Sequence, residues 1–154
     1  MPRPTVRVFA CLALLLAAGC KPAANKPTEE TAPVTAPAAK ASAAAITDID
    51  WNLTGLGEQV HPLGAGGKQV TLRLDATMHR AAGFGGCNRY SGSYSLRGDS
   101  LSFGAVMATR MACADGMELE AAWHKALERV VTYSATESTL TLNAAEGPVA
   151  SFRK

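Results

Sequence analysis

Cysteine and histidine are the residue types through which this sequence could do chemistry, and their spacing decides most of what is open to it. The chain carries Cys11, Cys20, Cys87 and Cys113, with His61, His79 and His124. The first twenty residues account for Cys11 and Cys20, which leaves Cys87 and Cys113 as an even pair. A zinc site built on that pair would need histidines at finger-like spacing, and the three present offer none. A cysteine nucleophile would need a histidine brought alongside by the fold, and sequence does not locate one. In an oxidising compartment such a pair forms a disulfide. Closing the loop would stabilise the fold by roughly 3 to 4 kcal/mol through chain entropy. A bridge is the first expectation, with free buried thiols, metal ligation and catalysis behind it.

Three other features suggest chemistry and have plainer readings. Arg97-Gly98-Asp99 is the tripeptide that integrins bind, yet it falls where a hairpin needs a glycine and polar partners. Gly83, Gly85 and Gly86 do not open a helix after a strand, so they make no phosphate cradle. They suit a bulge or a close backbone crossing beside Cys87. His124 falls opposite the apolar stripe of its helix and reads as a solvated surface residue. No nucleophile elbow, metal-ligand spacing or fixed carboxylate pair occurs, and no cofactor or metal is implied.

The N-terminal segment speaks to place. Arg3 and Arg7 precede an unbroken apolar run over residues 8–18, followed by small residues and Cys20. That order is a secretory signal, and the run is too short to span a bilayer. Leu16-Ala17-Ala18-Gly19-Cys20 resembles the bacterial lipobox, whose cysteine becomes the lipidated first residue of the mature protein. It departs in one respect, since Ala17 stands three residues before the cysteine where leucine is usual. Acyl chains contribute about 0.8 kcal/mol per buried methylene, so two or more make a durable anchor. Lys21, rather than aspartate, follows the cysteine, and by resemblance to enteric lipoprotein sorting this points to the outer membrane, facing the periplasm.

Residues 21–45 consist mainly of Ala, Pro, Thr, Lys and Ser and contain no aromatic residue. Such a stretch buries too little apolar surface to offset its ordering entropy and is expected to be a disordered tether. It would reach roughly 30 Å as a coil and about 80 Å if extended. The organisation expected is a signal over residues 1–19, a lipidated cysteine and tether over 20–45, and one domain over 46–154. The chain's net charge of +2 resides in the signal and tether. Residues 46–154 hold ten Lys and Arg against eleven Asp and Glu, a balance of −1. No basic stripe remains to bind nucleic acid.

Within the domain, period-two alternation dominates. Val70, Leu72 and Leu74 alternate with Thr71 and Arg73, and Leu140 and Leu142 with Thr139 and Thr141. Trp51 lies on an opening strand that should pack it inward. Strands on either side of Arg97-Gly98-Asp99-Ser100 form a hairpin, and a last strand follows a turn around Gly147-Pro148. One helix is predicted near residues 116–131, because Leu119, Ala122, Trp123, Ala126, Leu127 and Val130 share one face. Asp115 is placed to cap it, with Glu118 reaching back. The fold class expected is α+β, a curved antiparallel sheet forming a partial barrel packed with that helix.

Two stretches stand out as a constellation: Gly86-Cys87-Asn88-Arg89-Tyr90-Ser91-Gly92-Ser93-Tyr94, then Ala108-Thr109-Arg110-Met111-Ala112-Cys113, followed by the helix with Glu118, Leu119 and Glu120. Their order and content resemble the META domain family, which includes heat-inducible HslJ-type lipoproteins of bacteria. The resemblance covers the whole of residues 46–154. It implies a small sheet-plus-helix envelope domain linked loosely to stress tolerance, with no established enzyme activity. Its motif positions fall on Cys87, Asn88, Gly92, Thr109, Met111 and Cys113. Asn88 suits backbone hydrogen bonding, Gly92 an unusual backbone conformation, and Met111 a gap in the core. Asn88, Arg89, Tyr90, Ser91, Thr109 and Arg110 are the candidate binding surface. The function expected is that of a non-enzymatic envelope lipoprotein that binds an envelope protein or ligand. The alternative is a tethered inhibitor of an envelope hydrolase. An exposed apolar loop would favour the inhibitor, and a pocket with convergent polar groups would favour ligand binding.

Overall fold

The computed structural model describes residues 46–154, so the signal, Cys20 and the tether expected over 1–45 lie outside the described residues. The strands are β1 (Asp50–Leu56), β2 (Gln59–Val60), β3 (Thr71–Asp75), β4 (Arg80–Phe84), β5 (Arg89–Arg97), β6 (Ser100–Ala108), β7 (Thr132–Ala135), β8 (Thr139–Ala144) and β9 (Gly147–Arg153). One α-helix, α1 (Met117–Arg129), separates β6 from β7. All pairings are antiparallel, neighbour to neighbour, and β1 also pairs with β9. The sheet therefore curls into a ring, the α+β architecture that the alternation and the single helical face predict.

The ring is weakest between β6 and β7, which share only the Ser100↔Thr132 register pair. There α1 packs against β6 and turns Leu119, Trp123, Ala126 and Leu127 into the core. Covering an otherwise unpaired strand edge with a helix is one of the ways sheets avoid sticking to one another. Trp123 is fully buried and meets Tyr90 and Phe152 edge-on, at centroid separations of 6.0 and 5.6 Å. Trp51, Leu53, Leu72, Leu74, Leu101, Leu140 and Leu142 fill the rest.

Several local expectations are corrected. Asp115 does not cap α1, and no side-chain cap bond forms there. The helix starts instead at Gly116, with φ of 83°, where a Cβ would stand 2.3 Å from the Gly86 carbonyl oxygen. The Ala65 N–H donates to that same oxygen at 2.6 Å. A triple backbone crossing sets the helix start, and the glycines before Cys87 permit it, as the close-crossing reading has it. Gly92 has no positive φ; its glycine is required because a Cβ would lie 2.9 Å from the Ala105 carbonyl oxygen, beside the β5–β6 bulge. Met111 fills no core gap and is 62% exposed. The last turn falls on residues 145–146, and Gly147 and Pro148 are already paired within β9. His124 is half-buried against the Tyr90 ring at 5.7 Å, and its Nε2 is enclosed without a hydrogen-bond partner.

Candidate functional site

The two motif stretches and the helix meet in one place, and Glu120 is its hub. Glu120 lies in the first turn of α1, one residue past buried Leu119, which aims it at the loop between β4 and β5. Its carboxylate accepts the Cys87 backbone N–H at 3.1 Å, the Asn88 backbone N–H, and the Asn88 side-chain amide at 3.1 Å. Asn88 is only 3% exposed. Its Oδ1 accepts from the Thr109 hydroxyl at 3.0 Å and the Met111 N–H at 2.8 Å. Its Nδ2 also donates to the Met111 carbonyl at 3.2 Å. Both donors and both acceptor sites of the Asn88 amide are thus occupied.

The Cys87–Cys113 disulfide lies beside this network, with Cα atoms 5.9 Å apart. Bond and network together tie three segments: the turn into β5, the segment 109–113 after β6, and the first turn of α1. The Asn88 amide and the Glu120 carboxylate are both engaged within the knot, which fastens these segments to one another.

The sequence-predicted surface residues divide on this frame. Asn88 and Tyr90 point inward. Tyr90 donates to the Thr71 carbonyl at 2.9 Å, and burial pushes its phenol far above the ordinary tyrosine value. Ser91 is half-buried, while Arg89, Thr109 and Arg110 are exposed. The hydroxyl of Thr109 turns back to Asn88, which leaves the two arginine side chains as the outward charged groups of the six. Glu120 is the central residue that motif reasoning named without assigning it a role. Its signal was its position, a carboxylate beside a core leucine in the first helical turn.

Three exposed methionines flank the knot in sequence, which periodicity did not reveal. Met107 near the end of β6, Met111 in the braced loop and Met117 at the start of α1 are 66%, 62% and 51% exposed. Ala112 and Ala114 in the same loop are also exposed. Methionine adapts its shape at low cost, and clusters of it favour protein contacts.

Comparisons with known proteins agree with this architecture. The META domain profile matches residues 44–154. An NMR structure of a protein from Burkholderia xenovorans is 30% identical, with a TM-score of 0.65 over 83% of this chain and 97% of that one. A second NMR structure is 21% identical, with a TM-score of 0.58 over 73% of this chain and 94% of its own, and shares the fold. No curated protein matches the chain. With its two motif stretches joined through Asn88, Glu120 and the disulfide, and the profile spanning the whole described domain, the chain belongs to the META domain family.

Proposed function

We propose that the protein is a non-enzymatic envelope lipoprotein, held in the outer membrane by a lipid on Cys20, whose domain works by binding in the service of stress tolerance. The observation that carries this reading is the disulfide-braced knot, taken together with the sequence resemblance of Leu16–Cys20 to the lipobox. A bridged pair suits an oxidising compartment, and a tethered domain in that compartment needs only a recognition surface to act. The META domain is not a known enzyme family, which supports a binding role.

The exposed methionines around residues 109–116 favour a second reading, the tethered hydrolase inhibitor. Inhibitors present a loop held rigid beforehand, which cuts the entropy cost of binding, and the disulfide and Asn88 hold this loop from both sides.

Replacing Cys20 by Ser tests the anchor. The protein should leave the detergent-soluble membrane fraction for the soluble periplasm, and heat survival of cells depending on it should fall. Unchanged membrane retention defeats the lipoprotein reading. Met111→Asp then separates the two binding readings: loss of envelope-hydrolase inhibition with the fold intact favours the inhibitor.

A further inference from the structure

On the outer face of β1, β3, β4 and β5 lies a groove of about 490 Å³. Register places its lining on one face: Asp50 opposite Arg73, Arg73 opposite Ala82, and Phe84 opposite Arg89. Inward neighbours Leu72, Leu74, Ala81 and Tyr90 confirm that alternation by their burial. Lys68, from the segment before β3, completes the rim, with its Nζ 5.9 Å from the centre of the Phe84 ring.

The charge of this groove is unlike that of the domain around it. Ten cations face eleven acids over residues 46–154, yet the groove gathers Lys68, Arg73 and Arg89 against Asp50 alone. Arg73 has Asp50 at 3.4 Å and Asp48 at 3.8 Å, both exposed pairs that contribute little. Neither Lys68 nor Arg89 has a carboxylate within ion-pair distance among the described residues. The Thr71 hydroxyl oxygen accepts from the Phe84 N–H at 3.0 Å, which leaves its own hydrogen for a ligand.

We propose that this groove binds a phosphate monoester, with the phosphate among Lys68, Arg73 and Arg89 and its apolar or planar part on Phe84. The arrangement of donors selects phosphate. A carboxylate is satisfied by one guanidinium fork, whereas a tetrahedral dianion takes donors from several directions. Here the cations come from three separate segments, β3, β5 and the stretch before β3, around a floor lowered by Ala82. The phosphate comes from either a soluble monoester or a lipid headgroup of the phosphatidic acid type. This inference rests on the reading that the domain works by binding, and not on the Cys20 anchor.

Calorimetric titration of the mature protein in a nonionic micelle at low salt tests it, with phenyl phosphate, inorganic phosphate, benzoate and dihexanoyl phosphatidic acid as probes. Phenyl phosphate should bind saturably, inorganic phosphate more weakly, and benzoate roughly tenfold more weakly. Lys68→Ala and Arg89→Ala should each weaken phenyl phosphate by about tenfold, the size of one lost charge-assisted contact. Arg97→Ala, at the exposed β5–β6 turn, should leave it unchanged. Tighter binding of the lipid than of phenyl phosphate assigns the source to a headgroup, and the reverse order assigns it to a soluble ester. Absence of saturable binding, or equal affinity in Lys68→Ala and Arg89→Ala, overturns the proposal. A Cys20→Ser protein that leaves the membrane should keep the site, so failure of the anchor and failure of the groove are separable.

Discussion

The knot around Asn88 and the groove around Phe84 are neighbours in sequence, with Asn88 and Arg89 adjacent, yet they treat polar groups in opposite ways. In the knot a buried amide and a carboxylate have their hydrogen-bonding capacity met by the chain itself. In the groove, Lys68 and Arg89 stand exposed, with no acid in ion-pair range among the described residues. Burial forces satisfaction, because an unpaired polar group inside costs about 1 to 3 kcal/mol. Exposure removes that demand, so an unpaired cation persists at a water-facing site with little cost to the fold. The knot and the groove thus divide polar residues between fastening and exposure, and the turn into β5 buries Asn88 while Arg89, the first residue of the strand, faces out.

The largest expected effect would break the knot. Glu120→Ala leaves three N–H donors without their acceptor, and we expect a loss of about 3 to 5 kcal/mol by denaturant unfolding. Glu118→Ala, exposed in the same helical turn, should stay within about 0.5 kcal/mol. Equal effects of the two would mean that the Glu120 contacts stabilise nothing and that the contrast with the groove is empty.

The disulfide comes next. A Cys87→Ser, Cys113→Ser double variant should lose about 2 to 4 kcal/mol yet remain folded, because Asn88 and Glu120 still hold the same three segments. Its cost should combine non-additively with that of Glu120→Ala, since both act on one junction. Mass spectrometry of the non-reduced protein should find these two residues bonded; a pair of free thiols would remove the brace from the argument.

How much of this was legible in the sequence follows the same division. Period-two runs located β3 and β8, the Arg97–Ser100 turn located the β5–β6 hairpin, and the apolar stripe located α1 to within one or two residues. Those signals are local and set by burial. The Asp115 cap was misread because the helix start is fixed by a backbone crossing with Gly86 and Ala65, distant in sequence. Met111 reads as core by residue type, but the disulfide and Asn88 hold its backbone while its side chain faces water. His124 read as solvated because a helical wheel omits Tyr90, which β5 brings to that side of the helix. The groove escaped notice because its charges come from segments that only the sheet register places together.

The tyrosines sharpen the comparison through pH. Burial raises the phenols of Tyr90, Tyr94 and Tyr133 above their value of 10.0, with nearby Asp48 and Asp75 adding to the rise at Tyr94 and Asp99 at Tyr133. These groups ionise more readily in the unfolded chain, so the stability they contribute is fully present below pH 10.0 and is lost as pH climbs above it. Ultraviolet titration should show the phenolates of the folded protein forming above pH 10.0, later than those of the unfolded chain. Reversible ionisation of all three near pH 10.0 in the folded protein would mean that the core is open to water.

The smallest effect belongs to the groove, and its smallness is the point. Lys68→Ala and Arg89→Ala each remove an exposed cation with no acid partner among the described residues. Arg73 is the third cation of the same groove, and like charges around one cavity repel. Removing either residue should therefore leave stability within about 0.5 kcal/mol of the parent. The sign should lean toward stabilisation at low ionic strength and vanish as salt screens the groove. Arg73→Ala differs in sign, because its exposed pairs with Asp48 and Asp50 contribute up to about 1 kcal/mol that would be lost. Denaturant midpoints at low and high salt measure all three variants. A loss above about 1 kcal/mol for Lys68→Ala or Arg89→Ala would show that these charges hold the sheet together. The groove would then be part of the fastening, and the division between it and the knot would fail.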